Sequence, residues 1–230
     1  MSNIIDIQQF LVGKSFRIPS YQRDYAWTTS QVDDLFCDIQ EALETGSGHY
    51  LGTIVLAQTG TQPYEIVDGQ QRLSTLTLVI QALIEKLQIT DSDRIANEAI
   101  LLRNSVELKL NFGNNANFVN ELFAGNLPEP NSGGQRKLQM AYGFSQDRAN
   151  ALFVEGGTSL IKQWLKAIKS LEIIQFIATD TGRAIRMFQT VNDRGMPLTA
   201  MDKAKSLLVY YSNRYLNGAL DNAINDAFGD

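Results

Sequence analysis

Three short segments carry the charged and polar side chains best suited to chemistry. The first is DGQQR (68–72), where an aspartate ends a predicted strand and a glycine turn leads into a long predicted helix. The free N–H groups and the positive dipole end of such a helix favour an anion. Arg72 opposes that dipole in the first helical turn, so it is best explained by a negatively charged neighbour, either a ligand phosphate or a buried carboxylate.

The same pentapeptide also has a purely structural interpretation. Asp68, with Gln71 three residues later, matches a capping box, in which the two side chains satisfy backbone N–H groups at the start of a helix. That motif accounts for Asp68 and Gln71 without a ligand, but it leaves Arg72 unexplained. The pattern alone leaves both interpretations open.

The second segment is IPSYQRDYAW (18–27), in which Gln22 and Arg23 lie among aromatic residues. An arginine beside aromatic rings is suited to stacking on a base and to cation–π contact. Alternatively, the aromatic residues fasten the loop to the core while Arg23 forms an ion pair with Asp24 or Asp34. The aromatic residues concerned are Tyr21, Tyr25 and Trp27.

The third segment is FQTVNDRGMPLT (188–199), which has the composition of a turn. Asn192 and Gly195 favour tight turns, and Arg194 stands between them just before the next predicted helix. Taken alone, this motif is more typical of structure than of function. Together, the three segments place an arginine at three helix entries or strand exits.

Composition restricts the function further. The 230 residues include 20 Lys and Arg against 25 Asp and Glu, and the net charge of −5 gives no support to sequence-blind DNA binding, although a local basic cluster remains possible. One histidine, His49, excludes sites built on several histidines, and one cysteine, Cys37, excludes an internal disulfide. No signal peptide or membrane span is evident, so we expect a cytoplasmic protein without a membrane partner.

The predicted elements give an α+β fold with a small sheet near the N-terminus and a mainly helical middle and C-terminal part. Periodicity predicts strands at 16–18, 50–57, 64–67 and 172–178, and the second and third of these form a hairpin. It predicts helices at 4–11, after Thr28 or Thr29, after DGQQR, through most of 91–171, at 183–191 and at 199–216. We expect a core over 1–90, a helical region over 91–171, and a strand and helices over 172–230 that complete the same domain.

Five pieces of the chain resemble, in order, the N-terminal domain family of GmrSD-type modification-dependent restriction systems, which is grouped with the ParB and sulfiredoxin-like nucleotide-binding fold. The most specific piece is DGQQR within YEIVDGQQRLSTL. The pieces are IPSYQRDYAW (18–27), QVDDLFCDI (31–39), YLGTIVL (50–56), YEIVDGQQRLSTL (64–76) and FQTVNDRGMPLTAMDKAK (188–205).

This resemblance implies binding and hydrolysis of a nucleoside triphosphate at the DGQQR corner, with Mg²⁺, in defence against foreign DNA. Asp68 would place the metal or the attacking water, and Arg72 would stabilise charge on the phosphoryl oxygens. Gln71 completes the implied catalytic set. The implied nucleotide-binding residues are Gln22, Arg23, Gly69, Gln70, Asn192, Arg194 and Gly195, and we expect the three segments to line one cleft.

The resemblance also implies a nuclease partner. Family members that cut DNA carry a His-Asn-His nuclease domain, and this chain, with one histidine and its last motif close to Asp230, is not expected to contain one. The nuclease would then be a further domain or a separate subunit. Three functions remain open: an NTP-hydrolysing regulatory domain, a non-hydrolysing nucleotide-gated switch that acts on a nuclease partner or on DNA, and an assembly surface.

Overall fold

The computed structural model describes residues 3–46, 49–58, 60–180 and 182–184, together with positions 208, 212, 219–220, 223–224 and 227. Its arrangement confirms the α+β class. The strands are β1 (Asn3–Asp6), β2 (Phe16–Arg17), β3 (Tyr50–Ala57), β4 (Tyr64–Asp68), β5 (Arg103–Asn104), β6 (Glu107–Leu108), β7 (Leu110–Asn111) and β8 (Glu172–Ala178). The helices are α1 (Ile7–Leu11), α2 (Thr29–Thr45), α3 (Gln70–Ile84), α4 (Ser92–Asn97), α5 (Ala116–Phe123) and α6 (Gly133–Ser170), with a π-helical turn at Glu98–Leu102 and a 3₁₀ turn at Gly113–Asn115.

Six strands form one mixed sheet in the order β1-β8-β3-β4-β2-β7, and β5 and β6 form a separate hairpin. The inner strand β3 pairs antiparallel with β4 and parallel with β8. The short β3–β4 connection produces the antiparallel pair, whereas β8 joins the sheet only after a long, mainly helical excursion. The predicted hairpin and the predicted return of β8 to the sheet are both confirmed.

The two faces of β3 are buried in two different hydrophobic clusters. Ile54 and Leu56 belong to the larger core, which also contains residues of α2, α3 and α6. Val55 and Ala57 point the other way, as alternation along a strand requires. Every residue of α3 except Arg72 is buried, so the one arginine of this helix stands apart from the rest of it.

The N-terminus differs from the prediction of one helix over 4–11. Its first part is β1, which pairs antiparallel with β8, so that Ile4 lies opposite Ile174. Helix α1 begins only after Asp6, whose side chain accepts a hydrogen bond of 2.7 Å from the Gln9 N–H. The β-branched Ile4 and Ile5 therefore follow the backbone partners offered by β8 rather than the helical spacing.

The middle region is mainly helical, but it also contributes to the sheet. Strand β7 lies at the sheet edge beside β2, and within the predicted helical region the stretch that begins at Ser92 stops being helical at Leu102. Helix α6 packs on α2 and α3 and is interrupted at Gly157, where φ is 59°. The division into 1–90, 91–171 and 172–230 stays a prediction.

Among the residues that the structure describes, each helix falls short of a bilayer span in length or in apolar character.

Candidate functional site at the DGQQR corner

The turn between β4 and α3 requires a glycine at position 69. Gly69 is the N-cap residue of α3 and has a φ of 90°, a left-handed conformation that side chains other than glycine rarely adopt. A Cβ at this position would lie 3.0 Å from Cγ1 of Ile54 and 3.2 Å from the Thr53 carbonyl oxygen. Gly69 therefore allows the start of α3 to approach β3 closely.

The capping-box interpretation of Asp68 and Gln71 is wrong. Asp68 lies one residue before the N-cap, and the side chain of Gln71 bonds elsewhere. Its Oε1 accepts a hydrogen bond of 2.8 Å from the Ala26 N–H, and its Nε2 donates one of 3.1 Å to the Asp24 carbonyl. Gln71 is buried and fastens the loop over 18–27 to α3.

Gln70 contacts the same loop but keeps one polar atom without a partner. Its Nε2 donates a hydrogen bond of 3.1 Å to the Arg23 carbonyl. Its Oε1 has no hydrogen-bond partner among the residues that the structure describes, although only 6% of Gln70 is exposed. The amide cannot reverse its orientation without setting Oε1 against the Arg23 carbonyl. Among the described residues, Oε1 of Gln70 is thus a buried acceptor that a hydrogen-bond donor bound at the corner could satisfy.

Gln22 holds the other end of the contact between the loop and the corner. Its Nε2 donates hydrogen bonds of 2.8 Å to the Val67 carbonyl and 3.3 Å to the Ile66 carbonyl, just before Asp68. Together with Gln70 and Gln71, this glutamine ties the 18–27 loop to the DGQQR corner. Two of the three predicted segments therefore meet.

The aromatic residues of the loop pack into the protein. Tyr25 is buried, and its hydroxyl lies 2.7 Å from Oγ1 of Thr75, on α3. Burial raises the pKa of Tyr25 to about 12, although the Thr75 hydrogen bond opposes this shift. Trp27 packs against the larger core and Tyr21 against the smaller cluster. The interpretation of these rings as anchors of the loop is confirmed.

Asp24 is engaged by α6 and not by Arg23. Its carboxylate accepts hydrogen bonds from the N–H groups of Tyr25 and Gly134, at 3.0 and 3.1 Å. It also accepts from Oγ of Ser132 at 2.9 Å and from Nδ2 of Asn115 at 2.7 Å. Arg23 is exposed and, within the described part of the chain, forms no ion pair with Asp24 or any other acid.

Arg72 is held by a neutral group. Its Nη1 donates a hydrogen bond of 3.1 Å to the Thr53 carbonyl, and its guanidinium lies against Gly52. Asp68 and Asp38 are within electrostatic range, yet among the described residues neither forms an ion pair with Arg72. Within the described part of the chain, Arg72 therefore has N–H donors without a partner beside the corner.

Asp68 is the acidic group of the corner. Burial raises the pKa of the Asp68 carboxyl above its ordinary range, and this effect exceeds the opposing ones. The opposing effects are a hydrogen bond from the Gly69 N–H and the positive charges of Arg72 and Arg23. A carboxyl with a raised pKa binds protons more readily than an ordinary aspartate, a property suited to a general base.

The described residues contain no group of three His, Cys, Asp or Glu side chains that could hold a metal ion. A divalent ion at this corner would have Asp68 as its acidic ligand and would otherwise depend on oxygens of the bound molecule. Magnesium ions are commonly held in this way, by one or two carboxylates and the phosphates of a substrate. The donor set thus fits a metal that is bound together with a triphosphate.

The structure does not describe the third predicted segment. Asn192, Arg194 and Gly195 lie outside the described residues. A cavity of about 720 Å³ lies between β2, β7, α5 and the β5–β6 hairpin, and no predicted site residue lines it.

Sequence reasoning missed Gly52 and Thr53, and it did not anticipate the acidic neighbours of His49. The His49 ring lies between Asp38 and Glu41, at 3.3 and 3.5 Å. The only available signal was the spacing of these two acids on one face of α2.

The comparison with known families covers most of the chain. Residues 5–209 match the GmrSD restriction endonuclease N-terminal domain, and this range includes all three segments described above. The curated proteins contain no match to the chain. The chain therefore belongs to the GmrSD restriction endonuclease N-terminal domain family, which indicates a component of a nuclease-associated restriction or phage-defence system.

Proposed function

We propose that the DGQQR corner binds the phosphates of a nucleoside triphosphate and hydrolyses its terminal anhydride, as the regulatory step of a restriction or phage-defence system. The observation that carries this proposal is the state of Arg72. It is the unburied residue of an otherwise buried helix, it is held by a neutral carbonyl, and no carboxylate within the described part of the chain pairs with it. A guanidinium of this kind is suited to phosphate oxygens.

Two further groups support a phosphate ligand. The exposed Arg23 adds a second positive charge near Asp68 that has no ion-pair partner among the described residues, and the N-terminus of α3 adds a positive dipole. The buried Oε1 of Gln70 supports a ligand that is more than an anion. Because phosphate oxygens accept hydrogen bonds, this acceptor suits a hydroxyl, an amine or a water molecule brought with the ligand.

Hydrolysis would proceed by attack of water on the terminal phosphorus. A P–O bond forms to the water oxygen, the bridging P–O bond breaks, and the diphosphate leaves with its bonding electrons. Asp68, whose pKa is raised by burial, would receive the water proton, and Arg72 would stabilise the charge that develops on the phosphoryl oxygens. Mg²⁺ held by the phosphate oxygens would neutralise part of the triphosphate charge; where Asp68 coordinates the ion instead, the water proton passes to an oxygen of the terminal phosphate.

In this proposal Gln71 acts through the loop. Both of its polar atoms bond to backbone at Asp24 and Ala26, so it positions Arg23 and the neighbouring residues and does not touch the ligand.

A second candidate is a nucleotide-gated switch that binds without hydrolysis. The engagement of Gln71 favours it, because a glutamine that orients the attacking water needs a free side-chain amide. The two candidates share the same binding corner and differ only in turnover.

Phosphate release separates the candidates. The purified chain is incubated with GTP, ATP and CTP in the presence of Mg²⁺, beside the variants Asp68→Ala and Arg72→Ala. Arg94→Ala is the matched control, since Arg94 also bonds a backbone carbonyl, that of Leu87, but beyond the other end of α3. We expect release from the wild type and Arg94→Ala, and a loss of roughly a hundredfold or more in the other two variants.

Each alternative outcome has a distinct meaning. Equal background release from all four proteins removes the hydrolase interpretation. Nucleotide binding without release supports the switch. Absence of nucleotide binding by the wild type contradicts both.

A further inference from the structure

Gly52 occupies an unusual position on β3. Its φ is 122°, and the pairing of β3 with β8 shifts register between Tyr50 and Gly52, as in a β-bulge. A glycine inside a strand often marks such a bulge or a close approach of another group. Here both are present, because a Cβ at position 52 would lie 2.7 Å from Cζ of Arg72 and 2.9 Å from each of its Nη atoms.

The neighbouring residue completes the contact. Strand β4 ends at Asp68, opposite Val55, so the part of β3 before Val55 has the start of α3 instead of a strand on its β4 side, while its other side still pairs with β8. The Thr53 carbonyl accepts its hydrogen bond from Arg72 in this interval. The guanidinium thus occupies the space that the absent side chain of Gly52 leaves, and its Nη1 is held by the Thr53 carbonyl.

We propose that Gly52 is a positioning residue, whose missing side chain creates the space in which Arg72 is held for a ligand phosphate. This inference rests on the proposed function. A guanidinium offers five N–H donors, and among the described residues Thr53 uses one of them, so this arrangement orients Arg72 while leaving donors for the phosphate. Gly52 acts on the ligand only through Arg72.

A purely structural role for Gly52 predicts something different. The positive φ alone would make any side chain at position 52 unfavourable, whether or not Arg72 is present. The atoms that a Cβ would meet are the far end of a flexible side chain, so the Gly52→Ala variant can relieve the overlap by displacing the guanidinium. Loss of ligand binding and loss of stability are therefore separable.

The test is a double-mutant cycle of Gly52→Ala and Arg72→Ala, with GTP binding measured by titration calorimetry and stability by thermal unfolding. We expect Gly52→Ala to weaken binding roughly tenfold or more, about the effect of losing one hydrogen bond to a charged group. In the Arg72→Ala background the same change should not weaken binding further. Gly125→Ala is the control, because Gly125 has a φ of 83° and open space around it.

The inference is overturned if Gly52→Ala binds GTP as the wild type does, or if it weakens binding by the same factor with and without Arg72. If Gly52→Ala does not fold, the double variant decides. If the double variant folds, the result supports the role of Gly52 in making space for Arg72. If the double variant also fails to fold, Gly52 is needed only for the backbone conformation. Absence of binding by the wild type is a failure of the proposed function instead, and the change in unfolding temperature across the cycle then reports on Gly52 by itself.

Discussion

Arg72 donates its hydrogen bond to the backbone carbonyl of Thr53, at 3.1 Å, so a charged side chain at the start of α3 is held by a neutral group. An arginine that served only to stabilise the fold would be expected to pair with an acid, and Asp68 and Asp38 are close enough to influence it electrostatically. Within the described residues neither does so at ion-pair distance. The proposed phosphate binding at the DGQQR corner rests on this contact between Arg72 and Thr53.

Asp68→Asn should stabilise the protein at neutral pH while it abolishes hydrolysis. Burial raises the pKa of Asp68, which means that the fold favours the protonated carboxyl and that its ionisation opposes folding. This opposition is absent below the ordinary pKa of an aspartate, grows as the pH rises through the raised pKa, and is complete above it. Urea unfolding from pH 3 to pH 8 measures the effect.

The control for this prediction is Asp147→Asn, at an exposed aspartate. The stability gained by Asp68→Asn should shrink towards zero as the pH falls. A variant that is less stable than the wild type at neutral pH would contradict the role of burial.

The two glutamines of the corner should respond differently to truncation. Gln71→Ala leaves the Ala26 N–H and the Asp24 carbonyl without their partner, so we expect a loss of about 2 kcal/mol in the free energy of unfolding. Gln70→Ala removes one hydrogen bond and also a buried acceptor that has no partner among the described residues, so we expect a loss of less than about 1 kcal/mol. Equal losses in urea denaturation would show that Gln71 does not fasten the loop.

Because Gly134 contacts Asp24, we expect an unusual effect on stability when this helical glycine is replaced by alanine. Gly→Ala within a helix commonly stabilises by about 1 kcal/mol. At position 134, however, a Cβ would overlap the Asp24 carboxylate, so Gly134→Ala should destabilise the protein. In the Asp24→Ala background the same change should become neutral or stabilising. Thermal unfolding of the four proteins tests this, and a stabilising effect in the wild-type background would refute the close contact.

Local pattern was sufficient for the elements that the chain builds from neighbouring residues. Strands β3 and β8 were predicted with the bounds that they have in the structure. The helical spacing at 4–11 was misleading, because β1 forms on a partner about 170 residues away, and such pairing is not visible in a single sequence. The same reason explains why the two-residue strand β7 was missed.

The candidate site divides in a similar way. Its polar residues could be recognised in the sequence by their type and by their position between a strand and a helix. Their roles in ligand binding stay predictions. The use of Gln71 as a fastener depends on backbone groups at Asp24 and Ala26, which only the folded loop brings close. The role of Gly52 depends on a register shift between strands and on the contact with Arg72; a glycine within YLGTIVLA is a signal of a bulge or a close approach, but it does not identify Arg72 as the neighbour.

The most direct test of the account is calorimetric titration of GTP into the wild type, Arg72→Ala and Arg94→Ala under the same Mg²⁺ and salt conditions. Arg94 is also half-buried, but the carbonyl that it bonds is that of Leu87, which follows the far end of α3, a helix of 15 residues and about 22 Å, and Arg94 has an acidic neighbour in Glu98. The account predicts that the wild type and Arg94→Ala bind GTP alike and that Arg72→Ala binds at least tenfold more weakly. Equal affinity of Arg72→Ala and the wild type would contradict it.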